Sequence, residues 1–211
     1  MRTAKQRRAP AERPGEILDA ALALFVEKGF AATRLDDVAR RAGLSKAAIY
    51  LYFEDKTALF QGVVRQAVAA NLGTVEAMLN AHRGPIAPLL PRILEFMAGR
   101  IEETPLPAVA KLVISESRAF PAIGRFYLKE VIGRGLPLLE SLISRGIAQG
   151  EFRQVDPAMT VRSIVGAMLL AGIWRTVFEP IGAEKLDVRA LARHHADLMV
   201  HALAAPREAA A

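Results

Sequence analysis

The sequence predicts an all-α protein: a small unit of three helices at the N-terminal end, joined by a long helix to a larger helical bundle. Three observations carry that prediction. Apolar residues recur three and four positions apart along most of the 211 residues, which is the period of a helix face. Ala, Leu, Arg and Glu, the good helix formers, dominate a composition that is 52% hydrophobic, 24% charged and only 6% aromatic. No run of alternating β-branched residues argues for a sheet.

The elements follow in order. The first helix is expected from Pro14 to Lys28, with Pro14 in its first turn and Glu16 and Asp19 where the dipole favours acids. Ile17, Ala21, Leu24 and Phe25 form its buried stripe, and Gly29 ends it. Thr33 is placed to cap the second helix, with Asp36 three residues on, close to a capping box. That helix buries Leu35, Val38, Ala39 and Ala42 and stops at Gly43, which can take a positive φ. Ser45 caps a third helix through Tyr52, with Ile49 and Phe53 pointing inward. Asp55 caps a fourth, which runs to about Asn80 with Leu59, Phe60, Val63, Val64, Ala67 and Val68 on one face. After a break at His82 to Pro85, helices are expected at 86–103, 107–119, 121–149 with a bend between Gly133 and Pro137, 157–178 and 187–204.

The stretch from Thr33 to Phe60 has the form of a helix-turn-helix. A short helix, a Gly turn and a second helix leave Lys46, Ala47, Tyr50 and Leu51 outside, a set of small, basic and aromatic residues suited to a major groove. The net charge of +6 and the pI of about 10.0 agree with a polyanionic partner. Arg2, Lys5, Arg7, Arg8 and Arg13 against Glu12 put a net +4 into residues 1–13, where Pro10 and Pro14 keep the segment out of a long helix. A flexible basic arm is expected there, able to reach phosphates or a minor groove.

Three pieces of this region resemble the DNA-binding domain of the TetR family of bacterial transcriptional regulators. They are IL-DAAL-LF-EKGF at 17–30, AT at 32–33 and D-VARRAGLSKAAIYLYFEDK-ALF at 37–60. The pattern G-[LV]-S-x-x-x-[IL]-Y-x-Y-F-x-x-K, from Gly43 to Lys56, is long and specific. The resemblance implies that the third helix lies in the major groove of a double-stranded DNA operator. Lys46 and Ala47 then face base edges, Ala47 suiting a thymine methyl and Lys46 a guanine edge or a phosphate. Ser45 and Leu51 flank them, and Tyr50, Tyr52 and Lys56 stand where the family contacts the DNA backbone. Thr33 and Arg34 fall at the amino end of the second helix, where a phosphate meets the helix dipole. Arg34 departs from the family, which often has Ser or Thr there as a cap. Arg40 and Arg41 read as a solvated face rather than as readers of sequence.

The same resemblance divides the chain into the arm at 1–13, a DNA-binding domain at 14–55, a ligand-binding and dimerisation domain at 56–205 and a disordered tail at 206–211. Leu112 to Tyr127 resembles the ligand-binding region of one TetR subgroup. Polar residues among apolar helix positions there and further on, Glu116, Arg118, Tyr127, Trp174 and Arg175, are candidates for an effector pocket. Arg118 or Arg125 is the expected partner for Glu116 if the carboxylate is buried. Small residues such as Gly166 beside Leu170 and Ile173, with Leu191 and Leu198 of the last helix, form the expected interface of a homodimer. Two recognition helices about 34 Å apart would then read a near-palindrome.

The function implied is a ligand-responsive transcriptional regulator, a homodimeric repressor released from its operator by a small-molecule effector. The competing class is an enzyme or small-molecule carrier with a vestigial helix-turn-helix. No nucleotide loop and no nucleophile-plus-base arrangement is visible, so no catalytic residue and no cofactor are expected. Cysteine is absent, which removes disulfide and thiolate chemistry. His194, Asp197 and His201 share a helical face but read as surface rather than as a metal site. The charged N-terminus has no signal-peptide core, and Ile164 to Ile173 falls short of the roughly 20 residues of a membrane span. A cytoplasmic location with no membrane partner is therefore expected.

Overall fold

A computed structural model describes residues 13–206. The basic arm, apart from the backbone of Arg13, and residues 207–211 of the tail lie outside the described residues. Among the described residues ten α-helices follow one another: α1 Arg13–Ala32, α2 Leu35–Arg41, α3 Lys46–Ile49, α4 Lys56–Ala81, α5 Leu89–Glu103, α6 Leu106–Glu116, α7 Pro121–Tyr127, α8 Gly133–Ala148, α9 Pro157–Ile173 and α10 Val188–Leu203. Among the described residues the only β pairing is an isolated antiparallel bridge between Phe152 and Ala204.

The helices sort into two compact units, and the sorting does not follow the chain. One holds residues 13–66 together with Leu112–Tyr127; the other holds Ala67–Lys111 and residues 128–206. In the first, α1 buries Ile17, Ala21, Leu24 and Phe25, α2 buries Val38 and Ala39, α3 buries Ile49, and α4 buries Leu59, Phe60, Val63 and Val64. At its centre Phe25, Phe30 and Phe60 meet with ring centroids 5.5–6.0 Å apart, and Phe120, just before α7, joins with its ring 4.9 Å from Phe30. These separations are favourable for aromatic pairs, which add to what their buried area contributes.

In the second unit α5 packs on α10 and α8 on α9. Its core includes Leu89, Ile93, Leu94, Leu142, Ile143, Ile164, Met168 and Leu203. The expected break after α4 is held by two charged side chains. Arg145 donates to the carbonyls of Leu79 and His82 at 2.9 and 3.1 Å, closing the carbonyl end of α4. The Glu151 carboxylate accepts from the amides of Ile86 and Ala87 at 2.7 and 2.9 Å. Asp156 caps α9, accepting from the amides of Ala158 and Met159, with Pro157 in the first turn where its missing N–H costs nothing. Asp187 caps α10 through Ala190 N–H.

Two segments depart from the expected helices. The helix predicted over 121–149 widens into a π-helical turn at Leu128–Ile132, and the helix over 157–178 does the same at Trp174–Phe178. The apolar stretch is also longer than expected. Taken with the turns that follow it, Pro157–Ile181 spans 25 residues and contains an 18-residue window with a mean hydropathy of 1.4, and by length and composition alone it could cross a membrane. Counting only Ile164 to Ile173 misses this because Arg162, Arg175 and Glu179 interrupt the apolar run without breaking the helical path.

Gly146 of α8 lies against the ring of Phe152, which is 2% exposed. A Cβ at Gly146 would stand 2.2–2.9 Å from three carbons of that ring. Gly146→Ala is expected to cost about 1–3 kcal/mol through overpacking, seen as a lower urea midpoint with an unchanged slope.

Candidate nucleic-acid interface

The α2–turn–α3 segment is built by local chemistry. Gly43 takes φ +70°, the left-handed region that side chains with a Cβ avoid, and this lets the chain reverse after α2. The reversal is closed by Gly43 N–H to Arg40 C=O at 3.2 Å and Leu44 N–H to Ala39 C=O at 2.8 Å, the pairing of a helix C-terminus ended by glycine. Ser45 then caps α3, its Oγ accepting from Ala48 N–H at 3.2 Å. One fully buried anchor, Ile49, fixes α3 to the unit. Regular helix ends at Ile49, and the chain continues as turns through the expected end at Tyr52.

With Ile49 turned inward, the opposite face is presented to solvent. Ser45, Lys46, Ala47, Tyr50 and Leu51 are all exposed, Leu51 at 83% and Tyr50 at 47%. Tyr52 is half-buried, between surface and core. Arg34, at the start of α2, is exposed, and its side chain makes no capping bond.

Charge on this face is partly balanced from within. Lys46 Nζ lies 2.9 Å from Asp36 Oδ2, and this pairing holds the ammonium pKa above the ordinary lysine value. Sequence spacing gives no sign of that partner, because the Gly43 turn is what brings α2 and α3 side by side. Arg40 is paired with Asp37, and Arg41 with Glu27 at 2.6 Å, which agrees with their reading as a solvated face.

Two expectations are corrected at the end of α1. The sequence predicts Thr33 as the cap of α2 and as a phosphate contact. Instead Thr33 is 1% exposed, and its hydroxyl donates back to α1, to Gly29 C=O at 2.7 Å and Leu24 C=O at 3.2 Å. Carbonyls at a helix end lack intrahelical donors, and a hydroxyl four residues on is well placed to supply one. Arg34 occupies the cap position without capping. Lys56 is corrected in the same sense. Its ammonium donates to Phe30 C=O at 2.7 Å and Ala31 C=O at 2.9 Å, and lies 4.6 Å from the Phe30 ring centre. Desolvation lowers its pKa below the ordinary value, with Glu116 pulling the other way.

Glu116 belongs to this cluster. Its Oε1 accepts from Phe30 N–H at 3.2 Å, so the partner is a backbone amide rather than the expected Arg118 or Arg125, both of which are exposed. Of the other pocket candidates, Tyr127 falls in the same unit, half-buried, its phenol pKa raised by burial. Trp174 and Arg175 fall in the other unit, where the Trp174 indole N–H donates to Glu184 C=O at 2.8 Å. The five are therefore not gathered within one compact unit. On α9 and α10, Gly166, Leu170 and Leu198 are exposed, the leucines at 55% and 49%, while Ile173 and Leu191 are half-buried.

Comparison with known proteins addresses both halves of the chain. The family described as bacterial regulatory proteins, tetR family, matches residues 17–63, which contain α2, α3 and the start of α4. The family described as AefR-like transcriptional repressor, C-terminal domain, matches residues 88–204. The HTH-type transcriptional regulator RutR of Escherichia coli (strain K12) is 31% identical over 170 residues, covering 74% of this chain and 71% of its own. The HTH-type transcriptional regulator YfiR of Bacillus subtilis (strain 168) is 27% identical over 86% of this chain and 87% of its own length. The structure of the regulator FadR from Bacillus subtilis in complex with stearoyl-CoA shares the fold, with a TM-score of 0.72 at 20% identity, over 88% of this chain and 97% of that one.

Replacing Lys56 by Met removes the donor from the Phe30 and Ala31 carbonyls. The expected loss is about 1–2 kcal/mol in urea unfolding, typical for hydrogen bonds to a charged group. Lys46→Met, at an exposed pair, should leave the urea midpoint close to that of the parent.

Proposed function

The chain belongs to the tetR family of bacterial regulatory proteins, a DNA-binding transcriptional regulator of the ligand-responsive kind, and we propose that it is a homodimeric repressor, released from a near-palindromic operator by a small molecule. The observation that carries this reading is the solvent-exposed face of α3, anchored from behind by Ile49 and presenting Lys46, Ala47, Tyr50 and Leu51. Lys46 and Ala47 sit nearest the base edges, Ser45 and Leu51 flank them, and Tyr50, Tyr52 and Arg34 reach the sugar–phosphate backbone. Residues 14–55 are the reading domain and 56–205 the effector and dimerisation domain, and the protein works in the cytoplasm beside the chromosome.

Dimerisation gives the exposed apolar residues of α9 and α10 their purpose. Met159, Leu169, Leu170 and Leu198 are each 45–62% exposed, with the bare backbone of Gly166 among them. A second copy covering this face forms a two-fold interface, and the two-fold of the protein then matches that of the operator. It also explains why a helix apolar enough for a membrane carries Arg162 and Arg175. Release follows from linkage. An effector that binds better to the form with the wrong spacing of the two reading heads lowers operator affinity, and the operator lowers effector affinity by the same factor.

Titration of a duplex from upstream of the gene tests the reading, through a steep fall of log K with log salt. Tyr50→Phe should weaken binding to all sequences alike, while Lys46→Ala should change the preference among them. Asp36→Asn frees Lys46 from its internal partner and should raise affinity several-fold with a steeper salt dependence, by about one phosphate contact. No specific binding to any upstream duplex at any salt would sink the repressor reading.

Leu170→Glu combined with Leu198→Glu should leave helicity unchanged yet give a monomer in analytical ultracentrifugation. Operator affinity should fall by orders of magnitude, because one head then binds without the other. A dimer persisting in that variant would place the interface elsewhere.

A further inference from the structure

A half-buried arginine of the second unit has one edge without a partner. Arg100 is on the last turn of α5, in register with the buried stripe of that helix: Ile93 is seven residues before it, and Met97 and Thr104 lie on the same face. Its Nε is cut off from solvent and has no hydrogen-bond partner. The nearest acids along the helix are spoken for, since Glu102 and Glu103 hold Arg189 at 2.8 and 2.6 Å. Among the described residues no carboxylate lies within ion-pair distance of the Arg100 guanidinium.

Burying a guanidinium edge unpaired is expensive, and a buried charge is ordinarily met by an anion and hydrogen bonds. A methionine or leucine would fill the same apolar stripe at no such cost. The arginine therefore makes sense if something that is not part of the chain completes it. Arginine offers two parallel N–H groups in a fixed plane, which match the two oxygens of a carboxylate. One guanidinium balances one negative charge, whereas a phosphate dianion would be left with an uncompensated charge of its own in the same surroundings. Ile93 and Met97, the neighbours on the preceding turns of the stripe, are apolar, so the rest of the bound molecule is apolar as well. The end of α5 also lies near a place where helical regularity is relaxed. Lys111 of α6 donates to Thr176 C=O inside the π-helical turn after α9, and Gly172 packs on Pro107 with only van der Waals room. Widened π turns are frequent where a helix adapts to a ligand.

We infer that Arg100 is the anion-binding residue of an effector site in this unit, and that the effector is an organic carboxylate with an apolar body. This rests on the reading of residues 56–205 as an effector domain and names the chemistry of the molecule that it takes.

The test uses the full chain and three probes: octanoate, its neutral isostere octanamide, and inorganic phosphate. Octanoate is expected to raise the unfolding midpoint saturably, and octanamide and phosphate are not. Arg100→Met keeps the stem in the stripe and removes the unpaired charge. It should raise the midpoint of the unliganded protein by roughly 2–4 °C and weaken octanoate at least tenfold. The inference is overturned if Arg100→Met melts below the parent, which would make the arginine structural. Equal effects of octanoate and octanamide, or of octanoate and phosphate, overturn it too, as does the absence of any octanoate response. The duplex titration of the unsubstituted chain is independent of these readouts. Failure there sinks the regulator reading, while a normal titration with no carboxylate response sinks only this inference.

Discussion

The peptide around Phe30 is held from both sides, and the reading head depends on it. Its N–H is taken by the Glu116 carboxylate and its C=O by the Lys56 ammonium, while its ring lies among Phe25, Phe60 and Phe120. The grip works because the chain has already turned. Gly29 takes φ +79°, which breaks the helix inside α1 and turns the Phe30 amide out of the helical ladder. A Cβ at Gly29 would also stand 2.8 Å from the Glu116 oxygen, so the same glycine permits both the turn and the close approach of the acid. The Thr33 hydroxyl then supplies the carbonyls left open at the end of α1. The direction of α2, and hence that of α3, follows from this sequence of contacts.

This arrangement accounts for the division of the first unit between two distant parts of the sequence. Leu112–Tyr127 contributes Glu116 and Phe120 to the cluster around Phe30 and places Phe126 4.9 Å from the Arg65 guanidinium. A three-helix unit of such small size buries little apolar surface alone, and a further segment enlarges its core. An element that lies in sequence between helices of the second unit thus belongs to the first.

What could be read in the sequence was what local chemistry decides. The Gly43 reversal, the Ser45 and Asp55 caps, the buried Ile49 and the exposed Lys46, Ala47, Tyr50 and Leu51 each follow from residue type and spacing within one turn of helix. The misread residues are those whose partners are remote. Lys56 reaches back 26 residues to Phe30, and Glu116 is 86 residues from it. Thr33 was misread for a different reason: a hydroxyl at a junction can cap the helix ahead or close the one behind, and spacing cannot choose between them. Here the hydroxyl is buried against the carbonyls of Gly29 and Leu24, and bonding them decides it. The π-helical turns at Leu128–Ile132 and Trp174–Phe178 were equally invisible, since an inserted residue leaves the apolar period almost unchanged.

The two cations that matter most to the proposed function stand in opposite electrostatic situations, and the contrast follows from their surroundings. Lys46 is fully in water and is given a counter-ion by the chain itself, Asp36. An exposed pair of this kind adds little to stability, so it can be exchanged for a phosphate or a base edge at small cost, and the exchange moderates non-specific attraction to any DNA. A reading head with a free ammonium there would bind more tightly and discriminate less. Arg100 is withdrawn from water at its Nε and given no counter-ion at all. That choice lowers the stability of the empty unit, and the deficit is relieved only when an anion arrives. A group of the first kind tunes how strongly a surface holds DNA; a group of the second kind makes the free energy of the folded unit depend on a small molecule, which is the property a releasable repressor requires.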